Sequence, residues 1–212
     1  MTAARINDRD PELWAGLVHA CRYCGLLDAS VAAHIRATQL DPAIATSVRH
    51  TYWLLGEHEH ALTGSGKFYF EAMVLASIGQ SEKAIAHLRE MERMKRPELM
   101  QNFVASLRLL LEGRRDESLA AAEYCIENFP DPEAVYYMAR QLVKLDERAR
   151  ALDVLNGVLD RGFLLSAALA RDPWLTPLHG EPGYDELLER SRRLEADVAL
   201  TFAQMGGPDL VR

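Results

Sequence analysis

One stretch of the sequence, residues 13–42, has a pattern that the chain repeats over most of its length. Apolar residues recur every three or four positions on both sides of Gly25, which is typical of two short amphipathic helices joined by a tight turn. Asp41-Pro42 ends the second helix, because proline has no amide hydrogen with which to continue it. Neither helix alone removes its apolar stripe from water, so the pair must pack against a copy of itself. The pattern therefore predicts an all-α fold built from stacked helical pairs.

The turn recurs along the chain, and the residues around it recur with it. The turn positions are Gly25, Gly56, Gly79, Gly113 and Asp146. Four residues before each turn the chain has Cys21, Tyr52, Leu75, Leu109 and Leu142. Five residues after each turn it has a small residue: Ser30, Ala61, Ala84, Ser118 and Ala151. A small side chain lets two helices approach closely, so five similar helical pairs are predicted.

This pattern resembles the tetratricopeptide repeat (TPR) family over residues 11–163, about three-quarters of the chain. The resemblance implies a right-handed solenoid in which the first helices of successive pairs line a concave groove. The second unit departs from the family, because Gly64 and Gly66 are unfavourable inside a helix. We therefore predict a short second helix there, a turn near these glycines and a new helix from Lys67.

The ends of the chain differ from the repeats. Residues 1–10 are polar and predicted to be disordered, and residues 164–212 are predicted to form capping helices and a tail. Residues 170–188 resemble the closing segment of TPR regions in bacterial adenylate cyclases and transcriptional regulators. That resemblance implies that Trp174, Leu175 and Leu178 plug the last repeat. Pro182 is expected to open a final helix that runs to about Met205.

Composition excludes several classes of function. The formal net charge of −7 argues against nucleic acid as the main partner, because an acidic surface repels phosphate. No apolar run approaches the length of a membrane span, and residues 1–12 lack the apolar core of a secretory signal. Three cysteines, an odd number inside helical patterns, fit a reducing compartment. We therefore expect a cytoplasmic bacterial protein.

Helix phase within the TPR-like frame predicts which side chains face the groove. The predicted groove residues are Arg22, Tyr23, His50, Trp53, Tyr69, Phe70, Met73, Phe103, Leu107, Leu111, Tyr136, Tyr137, Arg140 and Lys144. An apolar, aromatic groove of this extent favours binding of a peptide or amphipathic helix of another protein, with the cations meeting its acidic groups. The expected function is a non-enzymatic scaffold or adaptor. The alternatives are a groove filled by the C-terminal helix or a second copy, as in a homodimer, and a sensory module that binds a small ligand or metal ion.

The remaining motifs do not predict a catalytic or cofactor site. Cys21 and Cys24 form a C-x-x-C, a motif of redox pairs and of metal sites. No second pair completes a zinc site and no strand precedes the helix, so we favour packing of Cys21 in the core. His58-Glu59-His60 beside a turn is interpreted as a solvated loop, since histidines two residues apart do not share a helix face. No spacing suggests a nucleophile with its base, so we predict no enzyme activity, no cofactor and no metal.

Overall fold

The computed structural model describes residues 7–63 and 68–210, and within these ranges the chain is helical and contains no strand. This confirms the all-α prediction. The helices are α1 Pro11–Tyr23, α2 Leu27–Leu40, α3 Val48–Leu55, α4 His58–Ala61, α5 Tyr69–Ser77, α6 Ser81–Glu92, α7 Glu98–Leu111, α8 Arg115–Asn128, α9 Pro132–Lys144, α10 Arg148–Asp160, α11 Ser166–Arg171, a 3₁₀ helix Thr176–Leu178, α12 Pro182–Gln204 and α13 Gly207–Leu210. None of the helices in the described ranges combines the length and the apolar character needed to cross a bilayer.

All five predicted turn positions adopt the same left-handed backbone conformation. Their φ angles are 70° at Gly25, 81° at Gly56, 82° at Gly79, 75° at Gly113 and 63° at Asp146. In every turn the next backbone amide donates to the carbonyl of the residue four places before the turn, at 2.8–2.9 Å. This bond closes the first helix and starts the second, and it requires a positive φ that glycine adopts without steric cost.

The small residues five places after the turns lie where the two helices of each pair meet. Each of the five has no exposed surface. The Ser30 hydroxyl donates to the Val18 carbonyl at 2.6 Å, and the Ser118 hydroxyl donates to the Ser106 carbonyl at 2.8 Å. The two helices therefore pack in the same register in the first and fourth pairs. The residue five places after the turn is small because the backbone of the opposing helix lies directly against it.

The described chain divides into two compact units. Unit 1 comprises the described parts of residues 1–61 and 186–212 together with Gly162–Ala170. Unit 2 comprises Arg171–Asp185 and the described part of residues 62–161. The predicted boundary at residue 163 divides the chain by sequence repeat, whereas the two units are compact in space. The units do not test that boundary, which stays a prediction.

In unit 1, α1 packs against α2, and α3 packs against both of them. The core contains Trp14, Val18, Ala33, Ala37 and Val48. Asp10 caps α1 by accepting a hydrogen bond from the Glu12 amide at 3.0 Å. The short second helix of the second pair is confirmed, because α4 contains only four residues. The helix start predicted at Lys67 and the turn predicted near Gly64 and Gly66 lie outside the described residues.

In unit 2, three helical pairs follow one another: α5 with α6, α7 with α8, and α9 with α10. The first helix of each pair also contacts the first helix of the next. An ion pair joins α7 to α6, where the Arg108 guanidinium lies 2.6 Å from Glu92 and 2.5 Å from Glu112. Hydrogen bonding to Glu92 raises the pKa of Arg108. The first two of these pairs are thus connected by a polar contact as well as by packing.

Candidate functional site

The structure places most of the predicted groove residues in the interior. Tyr23, His50 and Leu111 are half-buried, and Lys144 is exposed. The other ten are buried: Arg22, Trp53, Tyr69, Phe70, Met73, Phe103, Leu107, Tyr136, Tyr137 and Arg140. Most of the predicted groove therefore does not face solvent, and binding of a partner there stays a prediction.

Unit 2 brings several of these residues into one aromatic cluster. The rings of Tyr69 and Phe103 lie 3.9 Å apart, and those of Phe103 and Phe129 lie 4.9 Å apart. Tyr137 joins them, with its ring 6.3 Å from that of Tyr69. Burial raises the pKa of the Tyr69 phenol, which keeps it protonated at neutral pH. The cluster is a packed core in which the phenol groups act as hydrogen-bonding partners.

A buried ion pair lies beside this cluster in unit 2. The Arg140 Nε atom donates to Asp172 Oδ2, and the second guanidinium nitrogen donates to Asp172 Oδ1 at 3.2 Å and to Ser77 Oγ at 2.7 Å. Asp172 also accepts from the Tyr136 hydroxyl at 2.5 Å and from the Trp174 amide at 2.9 Å. Burial acts to lower the pKa of Arg140, but the carboxylate of Asp172 outweighs it and holds that pKa above its usual value.

The Arg140–Asp172 contact ties the segment after α11 to helix α9. Arg140 also lies over the Trp174 ring, with its guanidinium carbon 4.9 Å from the ring centroid, and the Lys144 ammonium lies 5.9 Å from the same centroid. Trp174 is buried. Asp172 carried no signal in the sequence beyond a proline after it, because its partner lies 32 residues away.

The buried amide of Gln141 is only partly satisfied. Its nitrogen donates to the Tyr69 hydroxyl at 2.9 Å, whereas its oxygen has no hydrogen-bond partner in the described part of the chain. Helix phase did not identify this residue as part of the interior. Arg140 and Gln141 are adjacent on α9 and hydrogen-bond to Asp172 and Tyr69, respectively.

The predicted groove residues of unit 1 form a smaller cluster. The Arg22 guanidinium donates to the Ser47 hydroxyl at 2.8 Å and to the Ser47 carbonyl at 3.1 Å. It also lies 5.7 Å from the Tyr23 ring centroid. The Trp53 ring packs 5.1 Å from that of His58. Arg22 is therefore held as an interior residue of this unit.

An open apolar surface lies elsewhere in unit 1, between the start of α2 and the second half of α12. We name it the α2–α12 cleft. It consists of two depressions, of about 460 and 360 Å³, which share Leu26 and Phe202. The larger one is lined by Gly25, Leu26, Leu27, Asp28, Ala29, Ala32, Phe202 and Pro208. The smaller one is lined by Cys24, Leu26, Leu194, Asp197, Val198, Thr201, Phe202 and Met205.

The α2–α12 cleft exposes large apolar side chains. Leu194 retains 37% and Met205 51% of its surface accessible to solvent. Tyr184 and Leu187, in the first half of α12, are buried. Leu194 is exposed, because the second half of α12 is only partly covered. The signal for this surface was the apolar run of residues 196–205.

The α2–α12 cleft holds two carboxylates, one thiol and one hydroxyl among apolar side chains. Burial raises the pKa of the Cys24 thiol, and burial followed by the proximity of Cys24 raises the pKa of Cys21 to about 11. Neither thiol is therefore activated as a nucleophile at neutral pH. In the described ranges, no group of three or more His, Cys, Asp and Glu residues is arranged to hold a metal ion.

Comparison with known proteins does not assign the chain to a family. No family model, no curated protein and no solved structure matches the chain.

Proposed function

We propose that the protein is a non-enzymatic interaction module of the TPR type that binds an apolar segment, such as an amphipathic helix, of a partner protein. The five turns with one conformation, the five fully buried small residues and the contacts between successive first helices in unit 2 support the TPR-like assignment. Stacked helical pairs of this kind present long surfaces to polypeptide partners.

The α2–α12 cleft carries the proposal. A cleft with exposed Leu194 and Met205 on one side and Leu26 at its floor offers pockets for apolar anchors of a partner. Most of the predicted groove residues of unit 2 are buried, so we place the partner at this cleft rather than on those residues. Two adjoining apolar depressions with exposed apolar side chains at their rim support this placement, because partner side chains can bury their own apolar groups there.

Photo-crosslinking tests the proposal on the full chain in its native cells. A photoreactive amino acid replaces Thr201, which lines the cleft and is exposed. We expect a discrete adduct with another protein, and we expect the double substitution Leu194→Glu, Met205→Glu to abolish it by placing charge in the cleft. Both positions are exposed, so the fold should tolerate the change.

Leu200→Glu is the matched control, because Leu200 lies on the same helix, is 59% exposed and does not line the cleft. It should leave the adduct intact. If Leu200→Glu removes the adduct as completely as the double substitution, the contact lies on the outer face of α12 and the proposal for the cleft is wrong. No protein adduct at all from position 201 would contradict the proposed function.

A further inference from the structure

The charges around the α2–α12 cleft have one sign. Asp28 lines the larger depression and Asp197 the smaller one, and both are exposed. Neither carboxylate forms an ion pair with any residue that the structure describes. No Lys, Arg or His lines either depression. Arg193, one helical turn before Asp197, is exposed and does not line the cleft. Among the residues that line the two depressions, the charged side chains are therefore both carboxylates.

We infer that the partner is a cationic amphipathic helix, with Leu-like anchors on one face and Lys or Arg beside them. This inference rests on the proposed function and names the chemistry of the partner. Anchors fill the two depressions beside Leu26 and Phe202, and basic side chains pair with Asp28 and Asp197 at the rim. An acidic partner would be repelled by the same two carboxylates. The net charge of −7 adds a long-range attraction for cations.

The dimensions of the cleft suit a short helix. Leu194 and Met205 are eleven residues apart on or just beyond α12, which corresponds to about 16 Å or three helical turns. A partner helix of similar length can pack a row of its side chains alongside the row formed by Leu194, Val198 and Thr201 on α12. The described part of the chain contains no strand whose edge could accept an extended peptide instead.

A second copy of the chain is a poorer occupant of this cleft. If two copies paired through the face of α12 that carries Leu194, Val198 and Thr201, the α12 helix of the second copy would enter the cleft of the first. From Leu194 to Gln204 that helix carries Glu195 and Asp197 but no Lys or Arg. Self-pairing would therefore place carboxylates beside carboxylates, which costs free energy, and it would leave the cleft without a cation.

Three synthetic 14-residue helices test the inference against the purified full chain. All three share leucines at helical spacing, and their remaining positions are Lys in the first, Glu in the second and Gln in the third. We expect fluorescence anisotropy to show the Lys peptide binding at least tenfold more tightly than the Glu peptide, with the Gln peptide between them. The preference for Lys should shrink as salt is raised from 50 to 500 mM, roughly the range over which screening becomes strong.

Matched charge variants separate the cleft from the general acidity of the protein. Asp28→Asn with Asp197→Asn should weaken the Lys peptide about fivefold or more and leave the Gln peptide unchanged. Glu82→Gln with Asp153→Asn removes the same charge, one from the first turn of α6 and one from the exposed middle of α10. This control pair should leave the Lys peptide within about twofold.

The outcomes distinguish this inference from the proposed function. Equal binding of the Lys and Glu peptides, lost in Leu194→Glu, Met205→Glu, would overturn the cationic partner and retain the cleft as a docking site. An equal effect of the two charge-variant pairs would overturn the inference as well. A cross-link from position 201 to a second copy of the chain would replace the partner with self-association. Failure of all three peptides overturns the inference, and the crosslinking result then decides the proposed function independently.

Discussion

The same turn in the two units leads to surfaces of opposite character. In unit 1, Gly25 is followed by Leu26 and Leu27, which line an apolar depression. In unit 2, Gly79 is followed by a depression lined by polar residues, and Lys83 donates to the Gln80 side chain there at 2.8 Å. The backbone of both turns is the same, with φ angles of 70° and 82°. The turn therefore determines the path of the chain, and the side chains after it decide whether the surface suits water or an apolar partner.

The interiors of the two units differ as well. Unit 2 contains an arginine and a carboxylate that are both buried, with hydrogen bonds to Ser77, Tyr136 and the Trp174 amide around them. In unit 1 the buried Arg22 donates to both oxygens of Ser47, which lies just before α3. Burying a charge costs free energy that hydrogen bonds offset, so each unit depends on a polar contact between distant parts of its sequence. Substitutions at the buried polar contacts and at the turns test how the two units differ.

The largest effect is expected for Asp172→Ala. The substitution leaves the Arg140 guanidinium buried without its carboxylate, and loss of one member of a buried pair costs about 3–5 kcal/mol. Urea unfolding measures the loss. Glu123→Ala, which removes a partly exposed partner of Arg150, is the control and should cost at most about 1 kcal/mol. A loss below about 1 kcal/mol for Asp172→Ala would show that unit 2 does not depend on this pair.

Replacing the turn glycines by alanine distinguishes the two turns directly. At Gly79 nothing lies within 4 Å of the added carbon, so Gly79→Ala should cost only the strain of a positive φ, about 1–2 kcal/mol. At Gly25 the new carbon would lie 2.6 Å from Glu195 Cγ, and Glu195 also holds the Ser166 amide at 2.8 Å. Gly25→Ala should therefore cost more than Gly79→Ala in thermal or urea unfolding. Equal losses would mean that Glu195 moves aside freely.

The buried serines provide a finer comparison at one register position. Ser118→Ala removes the hydroxyl bond to the Ser106 carbonyl and should cost about 1 kcal/mol. Ser30→Ala should cost somewhat more, because it also deprives the buried Thr51 hydroxyl of a partner 2.8 Å away. Urea midpoints of the two variants are the measurement, with exposed Thr201→Ala as the control. The reverse order would show that Thr51 finds another partner.

The parts of the fold that follow from local chemistry were predictable from the sequence. The positive φ of all five turns, the burial of the five small residues and the start of α12 at Pro182 each depend on residues close by in sequence. The candidate site was not predictable in the same way. Helix phase grouped Tyr69, Phe103 and Tyr137, which lie together in the structure. Phase does not reveal whether the helix face that carries them is exposed to solvent or covered by another segment.

That distinction depends on contacts between residues far apart in sequence. Arg140 was predicted as a charge partner for a foreign peptide, and its carboxylate is instead supplied by Asp172 of the same chain. Exposure of Leu194 depends on how far α12 extends past the residues that cover it. Neither relation is encoded in spacing or composition, because both arise from tertiary packing.

The smallest effect concerns the thiols, and it tests whether the Cys21–Cys24 pair belongs to the core or to reactive chemistry. Burial, followed by the neighbouring thiol, raises the pKa of Cys21 to about 11, above the value of 9.0 expected when unfolded. The folded state therefore binds the proton more tightly, so its stabilisation is complete below about pH 9 and is lost as the pH rises towards 11. Between pH 8 and pH 10, we expect the free energy of unfolding of the wild type to fall by about 1 kcal/mol more than that of Cys21→Ala.

Cys125→Ala is the control, because Cys125 is also buried and its pKa is raised to about 12. This variant should retain the loss of stability assigned to Cys21. Rapid alkylation of Cys21 by iodoacetamide in the folded protein at pH 7 would instead indicate an activated thiol and contradict its place in the core.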